Sequence, residues 1–159
     1  MEKSLAVDFQ DFIIQTFELE KVESSSYSPL VLAYIGDGVY DVIIKSMVIN
    51  RGNRPVQQLH GETSYYVKAA TQSLIMRAIQ EQLNEVEQTI YRRGRNAKSI
   101  SPAKNQSITD YRRATGFEAL VGYLYLEKQY QRLMELITIG LASLEQKENK
   151  NEAERAGGK

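Results

Sequence analysis

Residues 30–49 read LVLAYIGDGVYDVIIKSMVI, an apolar run that is interrupted near its centre by Gly36, Asp37 and Gly38. Ser28 and Pro29 precede the run, and this pair is typical of a helix N-cap followed by proline at the first helical position. The sequence therefore predicts a long helix that begins here and ends near residues 50–52. Asp37 lies where a helix packed in a core would carry an apolar side chain.

Apolar residues recur at helical spacing along most of the chain, and the alternation typical of strands is rare. The first predicted helix, 7–19, has an apolar face made of Phe9, Phe12, Ile13 and Phe17. Further helices are predicted at 56–60, 63–82, 84–98 with Asn84 as N-cap, 109–128 with Thr109 as N-cap, and 130–144, with a loop at 98–107. The prediction is an all-α fold with one domain at 1–146 and a charged, disordered tail at 147–159.

The composition limits which metals and compartments are possible. The chain has 159 residues, no cysteine and one histidine, so a disulfide framework or a zinc site is not expected. His60 is predicted to be a packing or surface residue. No apolar segment has membrane-spanning length and no signal peptide is recognised, which predicts a cytoplasmic protein. Any metal is expected to be held by oxygen ligands.

A second acidic residue is embedded in the apolar segment ATGFEALVGYLYL, residues 114–126, where Gly116 and Gly122 flank Glu118. If the two glycine-containing helices pack face to face, Asp37 and Glu118 converge, and a divalent cation would resolve their repulsion. Asp41, one turn after Asp37, is a further candidate ligand, either direct or through water. The alternative is a structural ion pair between Glu118 and a neighbouring arginine, Arg112 or Arg113.

Basic residues are concentrated at 91–113, with seven of them against Asp110 alone. Cations suit phosphate contacts, and amides and hydroxyls suit 2′-hydroxyl contacts in the minor groove of double-stranded RNA. The alternative is a solvated polar loop. The RNA-binding prediction comprises Arg92, Arg93, Arg95, Asn96, Lys98, Lys104 and Asn105.

Several segments together resemble the ribonuclease III family. These segments are LAYIGDGVYD at 32–41, TGFEALVGYLYLEK at 115–128, RRGRNAKS at 92–99, PAKN at 102–105 and the Tyr111-Arg112 pair. The resemblance covers about 28–144 and is specific to the short branch of the family, which lacks a double-stranded-RNA-binding domain.

The resemblance implies a homodimeric helical bundle with two active sites beside a valley that holds the RNA duplex. It implies hydrolysis dependent on magnesium, with manganese as a possible substitute, leaving 5′-phosphate and 3′-hydroxyl ends. The expected substrate is a precursor of large-subunit (23S) ribosomal RNA. Asp37 and Glu118 match catalytic metal ligands of the family.

The sequence departs from the full-length family at two of the four acidic positions. These positions fall on Ala33 and Thr115, so one cation per site is easier to support than two, and Thr115 is a candidate for orienting a water. The two missing acids also support a rival interpretation, a catalytically silent ribonuclease-III-like domain that binds structured RNA or scaffolds a ribonucleoprotein. A third interpretation is an unrelated helical protein–protein module.

Overall fold

Helices account for most of the residues that the structure, a computed structural model, describes, which are 8–97 and 107–158. They are α1 (Phe9–Thr16), α2 (Pro29–Asn50), α3 (Val56–Val67), α4 (Ala69–Ile79), α5 (Glu85–Asn96), α6 (Ile108–Leu126) and α7 (Tyr130–Gly157), with short 3-10 turns at Ser24–Ser26 and Gln80–Gln82. No strand occurs within these ranges, which confirms the all-α prediction. None of these helices is long and apolar enough to cross a bilayer.

Local capping explains where three helices begin. The Ser28 hydroxyl accepts the Val31 N–H at 3.3 Å, and Pro29 starts α2 as predicted. Asn84 and Glu87 form a reciprocal capping box that starts α5. For α6 the predicted cap was wrong, because Ser107 rather than Thr109 accepts the Asp110 N–H, at 3.3 Å. Both candidates carry a hydroxyl, so local chemistry did not separate them.

Two other boundaries differ from the prediction. The break predicted after residue 60 does not occur, because α3 continues through Gly61 to Val67. The chain turns instead at Lys68, whose extended backbone (ψ 150°) separates α3 from α4. Helix α7 ends at Gly157 rather than Leu144, and its residues beyond Leu144 are exposed. The division into a domain at 1–146 and a tail at 147–159 stays a prediction.

Helix α6 is the centre of the fold, since it packs against α2, α4 and α5, while α7 covers α4. Tyr40 of α2 and Phe117 of α6 are both fully buried and meet edge to face, with ring centroids 5.2 Å apart. The Tyr40 hydroxyl donates to the Tyr66 carbonyl at 2.8 Å, which satisfies its polar group inside the core. These contacts place the middle of α2 against the middle of α6.

Two glycines allow α2 and α6 to touch through their backbones. A Cβ atom at Gly36 would lie 1.8 Å from the Glu118 carbonyl oxygen, and one at Gly122 would lie 2.0 Å from the Leu32 carbonyl oxygen. The predicted close approach is therefore present at these two positions. It is absent at Gly38, where an added Cβ atom would have no packing neighbour within 4 Å in the described chain.

One buried polar side chain of helix α1, Gln10, bonds to the α6–α7 region. The Gln10 amide donates to the Tyr125 carbonyl at 2.9 Å and to the Tyr130 hydroxyl at 3.0 Å. Phe9 and Phe17, on the predicted apolar face, are 75% and 69% exposed. That face of α1 therefore does not contribute to the core of this chain.

Candidate active site

Asp37 and Glu118 line one cavity, which lies between α2, α6 and the start of α4. Its volume is about 210 Å³, which leaves room for several water molecules at about 30 Å³ each. The wall consists of Asp37, Val67, Lys68, Ala69, Gln72, Tyr111, Ala114, Thr115 and Glu118. The structure thus brings together two carboxylates that are separated by 81 positions in the sequence (118 minus 37).

The environment of Glu118, which includes Asp37, perturbs its carboxyl group. Burial, and then the charge and hydrogen bonding of Asp37, raise the pKa of Glu118 to about 8. Near neutral pH and without a cation, Glu118 is therefore largely protonated and donates a hydrogen bond to Asp37. A divalent cation placed between them would favour the ionised form instead, because it supplies the missing positive charge.

The alternative of an ion pair with a neighbouring arginine is not what the structure shows. The Arg113 guanidinium donates to the Ser73 hydroxyl at 2.9 Å and lies 3.9 Å from the Asp110 carboxylate. Arg112 is exposed. Within residues 8–97 and 107–158, neither Asp37 nor Glu118 forms a salt bridge.

Glu87 shows the contrasting behaviour of a structural carboxylate. It is 1% exposed, and both of its oxygens accept from Arg132, at 3.0 and 2.9 Å. Burial acts to raise the pKa of Glu87, but Arg132 and the Asn84 N–H outweigh it and the pKa is lowered. Glu87 is thus satisfied within the chain, whereas Glu118 faces another acid. This difference marks Glu118 as a candidate functional residue.

The remaining members of the predicted metal site are placed unequally. Thr115 lines the cavity and donates to the Tyr111 carbonyl at 3.0 Å, which leaves its oxygen lone pairs free to accept from a water. Asp41 is absent from the cavity wall and pairs with Lys45 at 2.8 Å. The structure therefore does not bring Asp41 together with Asp37 and Glu118.

Sequence reasoning missed two polar residues of this wall. Lys68 reaches the cavity from the α3–α4 break, and its ammonium group lies 5.4 Å from the centre of the Tyr65 ring. Gln72 is 2% exposed, and its side-chain carbonyl oxygen has no hydrogen-bond partner in the described chain. Such an unsatisfied oxygen costs about 1–3 kcal/mol. In the sequence both are ordinary polar residues, and the helix break beside them was not predicted.

The predicted RNA-binding residues are only partly covered by the structure. Arg92 and Arg93 are exposed in the last turn of α5. The Arg95 guanidinium lies 5.7 Å from the Tyr91 ring centre and donates to the Asn96 side chain at 3.3 Å. The other three, Lys98, Lys104 and Asn105, lie outside the described residues.

The donor set of the cavity fits one hard cation. In the described parts of the chain, no group of three or more His, Cys, Asp or Glu side chains converges. Two carboxylates in a cavity with room for several waters match magnesium, which keeps several waters and needs few protein ligands. Manganese has the same ligand preference. That Asp37 and Glu118 hold such an ion stays a prediction.

The raised pKa of Glu118 predicts how stability depends on pH in the cation-free protein. The pKa is 4.5 in the unfolded chain and about 8 in the folded one, so the folded state alone retains the proton between these values. The free energy of unfolding is therefore expected to fall as pH rises from about 5 to 8, by at most about 1.4 kcal/mol per unit. Thermal unfolding in EDTA measures this decline.

Glu118→Gln is the matched control for that pH series. The amide mimics the protonated acid and does not titrate, so most of the decline is expected to disappear in this variant. Magnesium is expected to raise the melting temperature most at the alkaline end, because a metal ligand must be deprotonated. The same pH profile in both proteins would contradict the assignment of the proton to Glu118.

Comparisons with known proteins place this geometry in context. The family model described as "Ribonuclease III domain" matches residues 30–129. The chain is 45% identical to Mini-ribonuclease 3 of Clostridium tetani, covering 89% of this chain and 94% of that protein. It is 43% identical to Mini-ribonuclease 3 of a Thermoanaerobacter species, covering 92% and 100%. A crystal structure from Fusobacterium nucleatum superposes with a TM-score of 0.69 at 28% identity, covering 74% of this chain and 97% of that one.

Proposed function

The chain belongs to the ribonuclease III family, in its mini-ribonuclease III branch, and on that premise we propose that it cuts double-stranded RNA with a divalent cation held by Asp37 and Glu118. As a member of that family it is an endoribonuclease, a hydrolase of RNA phosphodiester bonds. One observation carries the proposal: these two carboxylates line one cavity of about 210 Å³, and neither forms a salt bridge with a basic residue in the described chain.

Each polar side chain of the cavity has its own role in the proposed reaction. Asp37 and Glu118 would hold the cation, magnesium or manganese. When bound, the ion supplies charge stabilisation at the phosphate and lowers the pKa of the attacking water. Thr115 offers an acceptor that orients a water, since its own proton is used within α6. Lys68 also lines the cavity, and its ammonium group, which lies over the Tyr65 ring, would be the cation available to a phosphate oxygen that enters.

We propose that the duplex is gripped by the basic segment at 92–105. The exposed Arg92 and Arg93 support this proposal, together with Arg95 and Asn96 beside them. Phosphate and sugar contacts of this kind set the register of the duplex and carry little sequence information. The resemblance to the short branch supports precursors of 23S ribosomal RNA as substrates, acted on in the cytoplasm.

We further propose a homodimer. Helix α2 presents an exposed apolar row at helical spacing, in which Val31, Tyr34, Val42 and Ile49 are 44%, 82%, 64% and 61% exposed. Gly38 lies in the same row, and a Cβ atom added there would have no packing neighbour within 4 Å in the described chain. A monomer rarely leaves such a row in water, whereas a two-fold interface would cover it on both copies.

A cleavage assay tests the proposed function. The purified chain is incubated with a short RNA duplex, its separated strands and a DNA duplex of the same sequence, with magnesium and with EDTA. Cuts confined to the RNA duplex with magnesium, leaving 5′-phosphate ends, are the expected result, and the mass in solution should be about twice 18.1 kDa. Binding without any cut would instead identify a catalytically silent RNA-binding domain.

The basic segment predicts a specific salt dependence. Each phosphate contact adds roughly 0.9 to the slope of log affinity against log salt. The pairs Arg92→Ala with Arg93→Ala, and Lys98→Ala with Lys104→Ala, are each expected to weaken duplex binding and flatten that slope by about 1–2. The control is Lys147→Ala with Lys150→Ala on the exposed end of α7. A slope that no basic-segment pair changes would remove the segment from the RNA site.

A further inference from the structure

Gln72 is a buried residue of the cavity that the family resemblance does not assign. It lies in the first turns of α4, is 2% exposed and lines the same wall as Asp37 and Glu118. Its carbonyl oxygen has no hydrogen-bond partner in the described chain. Buried polar atoms are almost always paired, so an unpaired one beside a functional cavity indicates a partner that the described part of the chain does not provide.

The orientation of the Gln72 amide is determined by its other end. Its nitrogen donates to the Val67 carbonyl oxygen at 3.1 Å, at the last residue of α3. Rotating the amide by half a turn would bring two carbonyl oxygens together, so oxygen and nitrogen cannot exchange places. The α3–α4 break thus holds an unsatisfied acceptor at a constant position beside the two carboxylates.

The surroundings restrict what can donate to this oxygen. The charged lining residue on the same break, Lys68, directs its ammonium group over the Tyr65 ring. Because Gln72 is almost fully buried, a bulky RNA group does not reach it, and the donor that suits the space is a molecule as small as water, coming from the cavity that Gln72 lines. Two carboxylates attract a cation to this cavity, and magnesium retains several waters that act only as donors.

A neutral acceptor in this cavity would offset part of the loss of acidic residues relative to the full-length family. The other two acidic positions of the family are occupied by Ala33 and Thr115 here. We propose that Gln72 is a positioning residue whose side-chain carbonyl accepts a hydrogen bond from a water in the hydration shell of the cation held by Asp37 and Glu118. This inference rests on the proposed function, since it presupposes a cation at that site.

The test measures magnesium binding without RNA, by calorimetric titration of the full chain and by magnesium-dependent thermal stabilisation. Loss of an outer-shell partner of a metal typically weakens binding 10–100-fold, so Gln72→Leu is expected to raise the magnesium Kd at least about tenfold. The matched control is Gln10→Leu, which removes a buried glutamine bonded to Tyr125 and Tyr130 outside the cavity. That variant is expected to lose stability and keep the wild-type Kd.

A second variant covers the case in which Gln72→Leu does not fold. Gln72→Glu keeps an oxygen at this position, and its carboxyl group must be protonated to replace the Gln72 N–H that donates to the Val67 carbonyl oxygen, so its magnesium Kd is expected to stay near that of the wild type. A wild-type Kd in a folded Gln72→Leu, or weaker magnesium binding by Gln72→Glu than by the wild type, overturns the inference. Failure of the wild type to bind magnesium, or binding that survives Asp37→Asn unchanged, overturns the proposed function itself and is recognised separately.

Discussion

Asp37→Asn is expected to lower magnesium-dependent cleavage of duplex RNA by about 100-fold or more, the scale on which loss of one charge-stabilising group at a transition state is felt. The substitution keeps the shape of the side chain but removes one of the two carboxylates that line the cavity among the described residues. A cation held by the remaining acid alone is bound weakly and without a defined position. Single-turnover cleavage at several magnesium concentrations measures the loss.

Stability and RNA binding separate this effect from misfolding. Asp37 is exposed and forms no salt bridge within the described residues, and the side-chain oxygen of asparagine still accepts the hydrogen bond from Glu118. It also removes the charge that perturbs Glu118. The metal-free variant is therefore expected to be at least as stable as the wild type, as is common where a functional site carries a destabilising cluster. Duplex binding in EDTA is expected to be retained.

Two further variants sharpen the interpretation. Asp11→Asn alters another partly exposed aspartate, which pairs with Lys128 far along the chain, and it should cleave at the wild-type rate. Asp41→Asn decides a prediction that is still open. An intermediate loss would support a water-mediated role for Asp41, whereas wild-type rates would confine it to the ion pair with Lys45. Near-normal cleavage by Asp37→Asn would end the assignment of the catalytic cation site.

The sequence predicted the features that depend on local chemistry or on two strong apolar patterns. Ser28 and Asn84 cap their helices as expected, because capping involves only three or four consecutive residues. The meeting of Asp37 with Glu118 was also predictable. An acid in an apolar helix needs compensation, and the two helices approach at Gly36, beside Asp37, and at Gly122, one turn after Glu118.

The features that sequence reasoning missed are those created by tertiary packing. The helix break at Lys68 contains no proline or glycine, so no local sequence signal predicted it. The position of Gln72 beside the cavity follows from that break. Asp41 shares a helical face with Asp37 in a projection, yet its carboxylate turns to Lys45 at 2.8 Å. Spacing along one helix does not determine which neighbour a flexible side chain selects.

Gly36→Ala is expected to destabilise the protein by about 3 kcal/mol or more, at the upper end of the range for overpacked cores. The added methyl would lie 1.8 Å from the Glu118 carbonyl oxygen and 2.8 Å from the Gly122 nitrogen. Both neighbours are backbone atoms of α6, so no side chain can rotate away and the helices must separate. A loss of this size lowers the melting temperature by roughly 6–12 °C in a domain of this length.

The matched control is Gly61→Ala. Gly61 is also helical, but a Cβ atom added there would have no packing neighbour within 4 Å in the described chain. Alanine is favoured over glycine in a helix by up to about 1 kcal/mol, so this variant is expected to be slightly more stable than the wild type. The same methyl group thus has opposite effects at the two positions. Because Glu118 itself carries the carbonyl that Gly36→Ala displaces, magnesium binding should weaken together with stability. Equal melting temperatures for the two alanine variants would mean that α2 and α6 are not packed backbone to backbone, and the geometry that joins Asp37 to Glu118 would lose its support.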